Sequence, residues 1–208
     1  MGCSSGASMG AWDFFLKKLN IVKKYIRIVA GKYRRTPIEV IDAPGLRPTP
    51  DRVRETLFNW LNYFWSGQFN DKQVLDLFAG SGALGFEAAS RGVAHVQMVE
   101  NNPRAVTALR ALRDKLKADV VRIHVGDAQV VLERLEASKF DLIFLDPPFG
   151  ADWVAKLWPA LPNLLEPNGL VYIEAENTIS CPEGYSLLRQ DRAGAVHYHL
   201  FQIAALQK

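Results

Sequence analysis

The sequence predicts an α/β protein whose mostly parallel sheet is covered by helices on both faces. From residue 73 onward, short apolar stretches of strand character alternate with stretches of helical spacing, which is the pattern of repeated βαβ units. The last two predicted strands follow one another without a helix between them, and this adds an antiparallel hairpin at one edge of the sheet. We therefore expect seven strands in the main sheet.

The N-terminal part precedes this alternation. Residues 25–41 predict two short strands joined by a glycine-containing connection. Thr49 as N-cap and Pro50 as first helical residue predict a helix that continues to about residue 65. The strands predicted after it are Gln73–Phe78, His95–Val99, Val120–Val125, Phe140–Leu145, Leu170–Ala175, Tyr185–Asp191 and Ala195–Ala204. The helices predicted between them are Ala83–Arg91, Pro103–Lys117, Ala128–Ala137 and Asp152–Leu165.

This order divides the 208 residues, enough for one full α/β domain and an appendage, into three segments. Residues 1–24 are expected to be flexible or vector-derived. Residues 25–66 are expected to form a basic hairpin and helix, and residues 67–208 are expected to form a Rossmann-like domain.

Composition excludes several classes of protein. No apolar run approaches the roughly 20 residues that span a bilayer, so no membrane partner is expected. Cys3 and Cys181 have no metal-ligand spacing and the histidines form no ligand cluster, so no metal is expected. No secretory signal is visible, and we therefore expect a cytoplasmic protein.

Basic residues are concentrated near the N-terminus. The segment from Lys17 to Arg54 carries a net charge of +8, whereas the rest of the chain carries −5. This asymmetry suggests a polyanionic partner; a solvated basic surface is the alternative. The residues expected to contact such a partner are Lys32, Arg34, Arg35, Arg47, Thr49, Arg52 and Arg54.

A glycine-rich turn follows the first strand of the main domain, in VLDLFAGSGALGFEA at residues 74–88. Small residues there let a ligand lie against bare backbone at a helix N-terminus. Asp76, four residues before Gly80, would repel a pyrophosphate but suits a ligand with an ammonium and a sulfonium group. The pattern D-x-F-x-G-x-G, formed by Asp76, Phe78, Gly80 and Gly82, resembles the first motif of the S-adenosylmethionine-dependent methyltransferases. The resemblance implies their class I Rossmann-like fold and this cofactor.

Two acids after the next strands fit the same cofactor. Glu100 ends the second strand, where Rossmann-like folds bind ribose hydroxyls; a solvent-facing glutamate is the alternative. Asp127 and Ala128 follow the third strand, where methyltransferases usually contact the adenine amino group. A simple helix N-cap is a second role for Asp127, and the two roles can coexist.

The stretch FDLIFLDPPFG, residues 140–150, carries an acid out of a buried strand and stiffens it with two prolines. Asp146, Pro147, Pro148 and Phe149 resemble the catalytic motif of methyltransferases that act on the exocyclic amines of bases. Asp146 and the Pro147 carbonyl would accept hydrogen bonds from the amine, and Phe149 would stack on an extruded base. A proline-stiffened turn is the alternative reading.

The blocks IRIVAGKYRRTPIEV, GLRPTPDRVRETLFNWL, DLFAGSGALGFEA and FLDPPF together resemble the bacterial 16S ribosomal RNA guanine-N2 methyltransferases, the RsmD family. This resemblance implies transfer of one methyl group to the exocyclic amine of a guanine, of the guanine 966 type. It also implies a substrate that is 16S ribosomal RNA within a partly or fully assembled small subunit.

Two other functions remain open at this stage. An adenine-N6 methyltransferase would share the DPPF motif, but such DNA enzymes usually carry a separate target-recognition domain, for which this chain has no room. A non-catalytic RNA-binding assembly factor could keep the same fold. The intact set of Asp76, Gly80, Gly82, Glu100 and Asp146 argues against it, and cofactor binding would distinguish the two.

Overall fold

A computed structural model of the protein describes residues 24–41, 50–135, 139–148 and 153–204. These residues form the α/β architecture that the sequence predicts. The strands are β1 (Lys24–Arg27), β2 (Pro37–Val40), β3 (Gln73–Asp76), β4 (His95–Glu100), β5 (Val121–Val125), β6 (Phe140–Leu145), β7 (Leu165–Ala175), β8 (Tyr185–Ala193) and β9 (Val196–Ile203). The helices are α1 (Asp51–Phe64), α2 (Ala83–Ser90), α3 (Pro103–Leu116), α4 (Ala128–Arg134) and α5 (Trp153–Leu157), with a 3-10 helix at Trp158–Asn163.

The main sheet has seven strands in the order β5-β4-β3-β6-β7-β9-β8. Strands β3 to β7 are parallel, and β9 and β8 are antiparallel to their neighbours. The chain enters the sheet at β3, proceeds outward to β4 and β5, and then returns to the other side of β3 with β6. At such a reversal the carboxyl ends of the strands leave a crevice in which open α/β sheets bind ligands.

Each face of the sheet is covered by one apolar cluster. On the first face, Phe58 of α1, Phe86 of α2, Leu109 of α3 and Ile38 of β2 are buried together. The second face is covered by α4, α5 and the 3-10 helix. The β1–β2 hairpin and α1 therefore share a core with the main sheet, which fixes their position relative to the carboxyl edge.

Local sequence explains where the helices begin. Pro50 is the N-cap of α1, so the helix begins one residue later than predicted; the predicted cap, Thr49, lies outside the described residues. Asn102 caps α3 by accepting hydrogen bonds from the backbone N–H groups of Arg104 and Ala105, at 2.9 and 3.3 Å. Pro103 supplies the first residue of α3, where no N–H group is needed.

The predicted helix at residues 152–165 is wrong in its length and type. The chain forms the short helix α5 and then a 3-10 helix. Pro159 and Pro162 explain the break, because proline has no N–H group and clashes with the preceding helical turn. β7 begins at Leu165 rather than Leu170, and α4 ends at Arg134.

Candidate active site

Acidic residues mark the carboxyl ends of four neighbouring strands. Asp76 ends β3 and Glu100 ends β4, Asp146 directly follows β6, and Glu174 is the next-to-last residue of β7. Because these strands are adjacent and parallel in the order β4-β3-β6-β7, the four residues lie along one edge of the sheet. The topology thus unites three acids that the sequence singled out with a fourth that it did not.

The glycine loop lies between β3 and α2. Gly82 is the N-cap of α2 and has φ of 82°, a backbone conformation that favours glycine. A Cβ atom at this position would come within 2.6 Å of the Leu109 and Phe86 side chains. Gly80 donates its backbone N–H to Glu100 Oε2 at 2.7 Å. The loop is therefore tied to β4 by Glu100 and admits no side chain at Gly82.

Asp76 is a buried acid with spare hydrogen-bonding capacity. Its exposure is 1%, and its Oδ2 atom accepts the backbone N–H of Gly85 at 3.1 Å. The Oδ1 atom is buried and accepts no hydrogen bond of good geometry among the described residues, although the backbone N–H of Phe78 lies near enough to the carboxyl to lower its pKa. Burial raises the pKa of Asp76 to about 7, and the nearby charge of Glu100 adds to this. A buried carboxylate oxygen that lacks a well-placed hydrogen-bond donor can be satisfied by a cationic donor.

Glu100 is 7% exposed, and both of its carboxylate oxygens accept backbone hydrogen bonds. Its Oε1 atom accepts the backbone N–H of Asn102 at 2.7 Å, in addition to the bond from Gly80. Each carboxylate oxygen has two lone pairs, so both oxygens can still accept from a ligand hydroxyl. The solvent-facing alternative for Glu100 does not fit this burial.

Asp127 is the N-cap of α4. Its Oδ1 atom accepts the backbone N–H of Gln129 at 2.9 Å, and Ala128 behind it is buried. Phe78 is half-buried, and its ring meets the ring of Trp153 edge to face at 5.6 Å. The capping role of Asp127 is thus present, and its half-buried side chain remains at the carboxyl edge of the sheet.

The motif that follows β6 lies beside the glycine loop. Asp146 is half-buried, Pro147 is buried and Pro148 is exposed, whereas Phe149 lies outside the described residues. Tyr172 of β7 lies close to Asp146. The pKa of Tyr172 is raised well above its usual range, first by burial, then by Glu174 and also by the charge of Asp146.

The basic residues fall into two groups. Lys32, Arg34, Arg35 and Arg52 are exposed, so they are available to a polyanion. Arg47 and Thr49 lie outside the described residues.

Arg54 requires a correction, because its side chain is fully buried and cannot reach RNA phosphates. Its guanidinium donates to the carbonyl of Arg27 at 2.7 Å and to Asp51. Its Nη1 atom lies 3.7 Å from Glu87 Oε2.

Glu87 explains the burial of Arg54 and was not identified from the sequence. This fully buried residue of α2 accepts the backbone N–H groups of Val29 and Ala30 at 2.7 and 3.1 Å. It also accepts Arg91 Nε at 2.9 Å. The local signal was a glutamate in the stretch ALGFEAAS, whose other residues before Ser90 are apolar or glycine.

Ser90, one turn further along α2, continues the same attachment. Its hydroxyl donates to the Ala30 carbonyl and accepts the backbone N–H of Tyr33, and its carbonyl accepts the Lys32 N–H at 2.7 Å. A Cβ atom on Gly31 would lie 1.9 Å from the Ser90 carbonyl oxygen, and Gly31 has φ of 81°. Only glycine permits this approach, so Ser90 and Glu87 dock the connection between β1 and β2 on α2.

Within the described ranges, no three histidine, cysteine or acidic side chains are grouped so that they could hold a metal ion. Across those same ranges, no helix has the length and apolar character needed to cross a membrane.

Comparison with known proteins identifies the family. The family model described as "Conserved hypothetical protein 95" matches residues 26–202. The chain belongs to this family. It is 38% identical over 188 residues to "Ribosomal RNA small subunit methyltransferase D" of Haemophilus influenzae, covering 86% of this chain and 95% of that protein. The protein of the same name from Escherichia coli K12 is 39% identical over 192 residues, covering 85% of this chain and 89% of the relative. The expected RsmD resemblance is confirmed.

A solved structure of the family confirms the fold. The Escherichia coli protein described as "Putative methyltransferase yhhF" superposes with a TM-score of 0.76 at 37% identity, covering 88% of this chain and 99% of that chain. The fold is therefore the Rossmann-like fold of S-adenosylmethionine-dependent methyltransferases. An RNA methyltransferase of Salinibacter ruber in complex with S-adenosyl-L-homocysteine has the same fold at 20% identity, with a TM-score of 0.58 and coverage of 76% of this chain and 94% of that chain.

We expect Glu87→Ala to destabilise the protein by about 3–5 kcal/mol, because it removes the buried acceptor of the Val29 and Ala30 N–H groups and of Arg91, and takes away a carboxylate near the buried Arg54. Urea denaturation measures the change. Glu133, an exposed glutamate of α4, provides the matched control, and Glu133→Ala should cost at most about 0.5 kcal/mol. A loss below about 1 kcal/mol for Glu87→Ala would show that the buried attachment contributes little.

Proposed function

We propose that the protein transfers one methyl group from S-adenosylmethionine to the exocyclic N2 amine of a guanine in 16S ribosomal RNA, of the guanine 966 type. The observation that carries this proposal is the position of Asp146 and Pro147 directly after β6, beside the glycine loop of β3. The names of the relatives support ribosomal RNA of the small subunit as the substrate class.

The residues at the carboxyl edge fit the proposed cofactor. Asp76 presents a buried, unsatisfied Oδ1 atom, which suits the cofactor's ammonium group. Glu100 would accept hydrogen bonds from the ribose hydroxyls, and Asp127 would face the adenine amino group. Phe78, Gly80, Gly82 and Ala128 would complete the binding site. The cofactor supplies an electrophilic methyl group held on a sulfonium.

Asp146 and Pro147 would act on the amine that receives the methyl group. The lone pair of a guanine N2 amine is delocalised into the ring, so the nitrogen is a poor nucleophile. Acceptors placed against its N–H bonds favour a more tetrahedral nitrogen and direct its lone pair toward the methyl group. Pro148 stiffens the loop, so that these acceptors are preorganised. Phe149 would stack on the extruded guanine.

The exposed basic residues would hold the RNA. Lys32, Arg34 and Arg35 lie on the connection between β1 and β2, and Arg52 lies in the first turn of α1. We propose that these residues contact phosphates and that Arg47 and Thr49 extend the same surface. The substrate would be RNA in a partly or fully assembled small ribosomal subunit.

One experiment tests the proposed function as a whole. The protein is incubated with labelled S-adenosylmethionine and small subunits that lack the modification, and the labelled nucleotide is mapped and hydrolysed. We expect a single N2-methylguanine. A labelled N6-methyladenine would favour an adenine methyltransferase, and absence of both transfer and cofactor binding would favour a non-catalytic factor.

We expect the affinity for S-adenosylmethionine to rise with pH between about 5.5 and 7. The pKa of Asp76 is about 7 without ligand, so at lower pH the carboxyl is protonated and must lose its proton to bind a cation. With complete coupling, the affinity changes about tenfold per pH unit below the pKa. Calorimetry in two buffers of different ionisation enthalpy measures both the affinity and the released proton. Asp76→Asn should bind more weakly without this pH dependence; an equal pH slope in both proteins would remove Asp76 from the cofactor site.

Asp146→Ala should lower the rate of methyl transfer by at least about a hundredfold, because it removes a preorganised acceptor used mainly in the transition state. The KM for the cofactor should change little. Single-turnover transfer to small subunits, normalised to folded protein by circular dichroism, provides the measurement. A wild-type rate per folded molecule would instead mean that the motif is only a rigid turn.

Reversing Arg34 and Arg35 to glutamate should weaken RNA binding and reduce its salt dependence, because phosphate contacts release counterions. Affinity for the cofactor should stay the same. The matched control reverses Arg104 and Arg110, two exposed arginines of α3, and changes the net charge equally. If both double variants give the same salt slope, the basic hairpin has no special role in binding.

A further inference from the structure

Glu174 is a buried acid at the carboxyl edge of the sheet, and the methyl transfer proposed for Asp146 and Pro147 does not use it. It is 4% exposed, and its Oε1 atom accepts the hydroxyl of the fully buried Tyr172 at 2.9 Å. A carboxylate in such a position is costly to bury. The free-energy cost of burying this carboxylate, and its position next to the motif after β6, suggest that Glu174 has a role in the reaction.

The register of β6 and β7 places Glu174 beside Asp146. These parallel strands pair Phe144 with Tyr172 and Leu145 with Ile173, so Asp146 and Glu174 directly follow the last paired residues of the two strands. Side chains alternate between the faces of a sheet, and Phe144 and Tyr172 lie in one apolar cluster while Leu145 and Ile173 lie in the other. Glu174 therefore lies on the face of Phe144 and Tyr172. The influence of Asp146 on the pKa of Tyr172 places its charge near the same hydroxyl.

The groups around this pair are mostly acids and phenols. Opposite Glu174 in β9 is Tyr198, whose hydroxyl donates to Asp191 of β8 at 2.9 Å. The positive charge of Arg52, on α1, acts to lower the pKa values of Tyr198 and Asp191. Asp146 and Glu174 each have further interactions as well. Further charged or titratable groups on the packed elements include Asp76 on β3, Asp51, Glu55 and the buried Arg54 on α1, Asp141 on β6, Arg189 and Arg192 on β8, and His197 and His199 on β9.

We infer that Glu174 is a positioning residue for proton removal, whose charge increases the proton affinity of Asp146 so that Asp146 accepts the proton of the methylated amine. This inference rests on the proposed function. As the N2 lone pair forms the new N–C bond, the S–C bond breaks and its electron pair stays on sulfur. The nitrogen then carries a positive charge and two hydrogens. Asp146 takes one of these as a proton, the N–H electron pair returns to nitrogen, and the proton leaves to water with the product.

The physical basis is repulsion between like charges. Two carboxylates that share a site resist simultaneous ionisation, which raises the proton affinity of one of them. The resulting pKa values belong to the pair rather than to one residue. Glu174→Gln removes the charge but keeps an oxygen that can accept the Tyr172 hydroxyl. Tyr172→Phe removes that hydrogen bond but keeps the charge, and therefore serves as its matched control.

The test measures single-turnover methyl transfer to unmodified small subunits from pH 5 to 9, with S-adenosylmethionine saturating at every pH so that the titration of Asp76 does not limit the rate, and with rates normalised to folded protein. We expect the wild-type rate to fall on the acid side. In Glu174→Gln the midpoint of this fall should move down by about one pH unit, the size expected for loss of a close like charge, and the plateau rate should drop several-fold as the base weakens. In Tyr172→Phe the midpoint should move by less than half as much.

Three results would overturn the inference: a wild-type rate without an acid limb, an unchanged midpoint in Glu174→Gln, or an equal shift in Tyr172→Phe. Should Glu174→Gln not fold, carbon NMR titration of the Asp146 carboxyl in the wild-type protein decides the question. A midpoint above about 5 supports the inference, and one near the ordinary 3.9 refutes it. Absence of methyl transfer by the wild-type protein at every pH would instead contradict the proposed function.

Discussion

The arrangement of the protein depends on one buried carboxylate. Glu87 projects from α2 into a site with no exposure to solvent, where an isolated charge would be prohibitively costly. The cost is offset because two backbone N–H groups of the hairpin connection and the side chain of Arg91 donate to it, with Arg54 of α1 close by. A single side chain thereby joins three elements that are distant in sequence. Replacing it by an apolar residue would leave those donors unsatisfied, so the attachment cannot be removed without moving the hairpin.

This attachment matters because α2 serves two sites at once. Its first residues follow the glycine loop, and the Gly85 N–H bonds to Asp76. Its last residue, Ser90, holds the connection that carries Lys32, Arg34 and Arg35. The helix has eight residues and is therefore about 12 Å long, and it is buried along its whole length. A short rigid element thus fixes the distance between the ligand crevice and the exposed basic surface, independently of the loops that precede α1.

The sequence predicted those features that depend on local pattern. Asp76, Glu100 and Asp146 were identified because each ends or follows an apolar strand, and parallel strands bring such residues to one edge. Arg54 was misjudged because the sequence predicts a surface position for an arginine in a helical stretch. Its buried partners, the Arg27 carbonyl and the Glu87 carboxylate, are remote in sequence. The helix predicted before β7 was too long because the helical spacing of its residues was given more weight than Pro159 and Pro162. Glu174 was missed because it becomes significant only once β7 is seen to pair with β6.

The acids at the carboxyl edge are separated from the exposed basic residues that would contact a polyanion. Asp76, Glu100 and Glu174 lie at the carboxyl edge but are almost fully buried, where a bulky phosphate cannot approach them. The exposed charges on the hairpin connection are basic: Lys32, Arg34 and Arg35. A nucleic acid backbone would therefore be held at the hairpin and kept out of the crevice, because entering it would mean burying phosphates against carboxylates. A neutral base meets no such barrier, since in the proposed mechanism its N–H groups donate to Asp146 and the Pro147 carbonyl. The separation of buried acids from exposed cations thus favours an extruded base, detached from its backbone contacts, as the part of a polyanion that reaches Asp146.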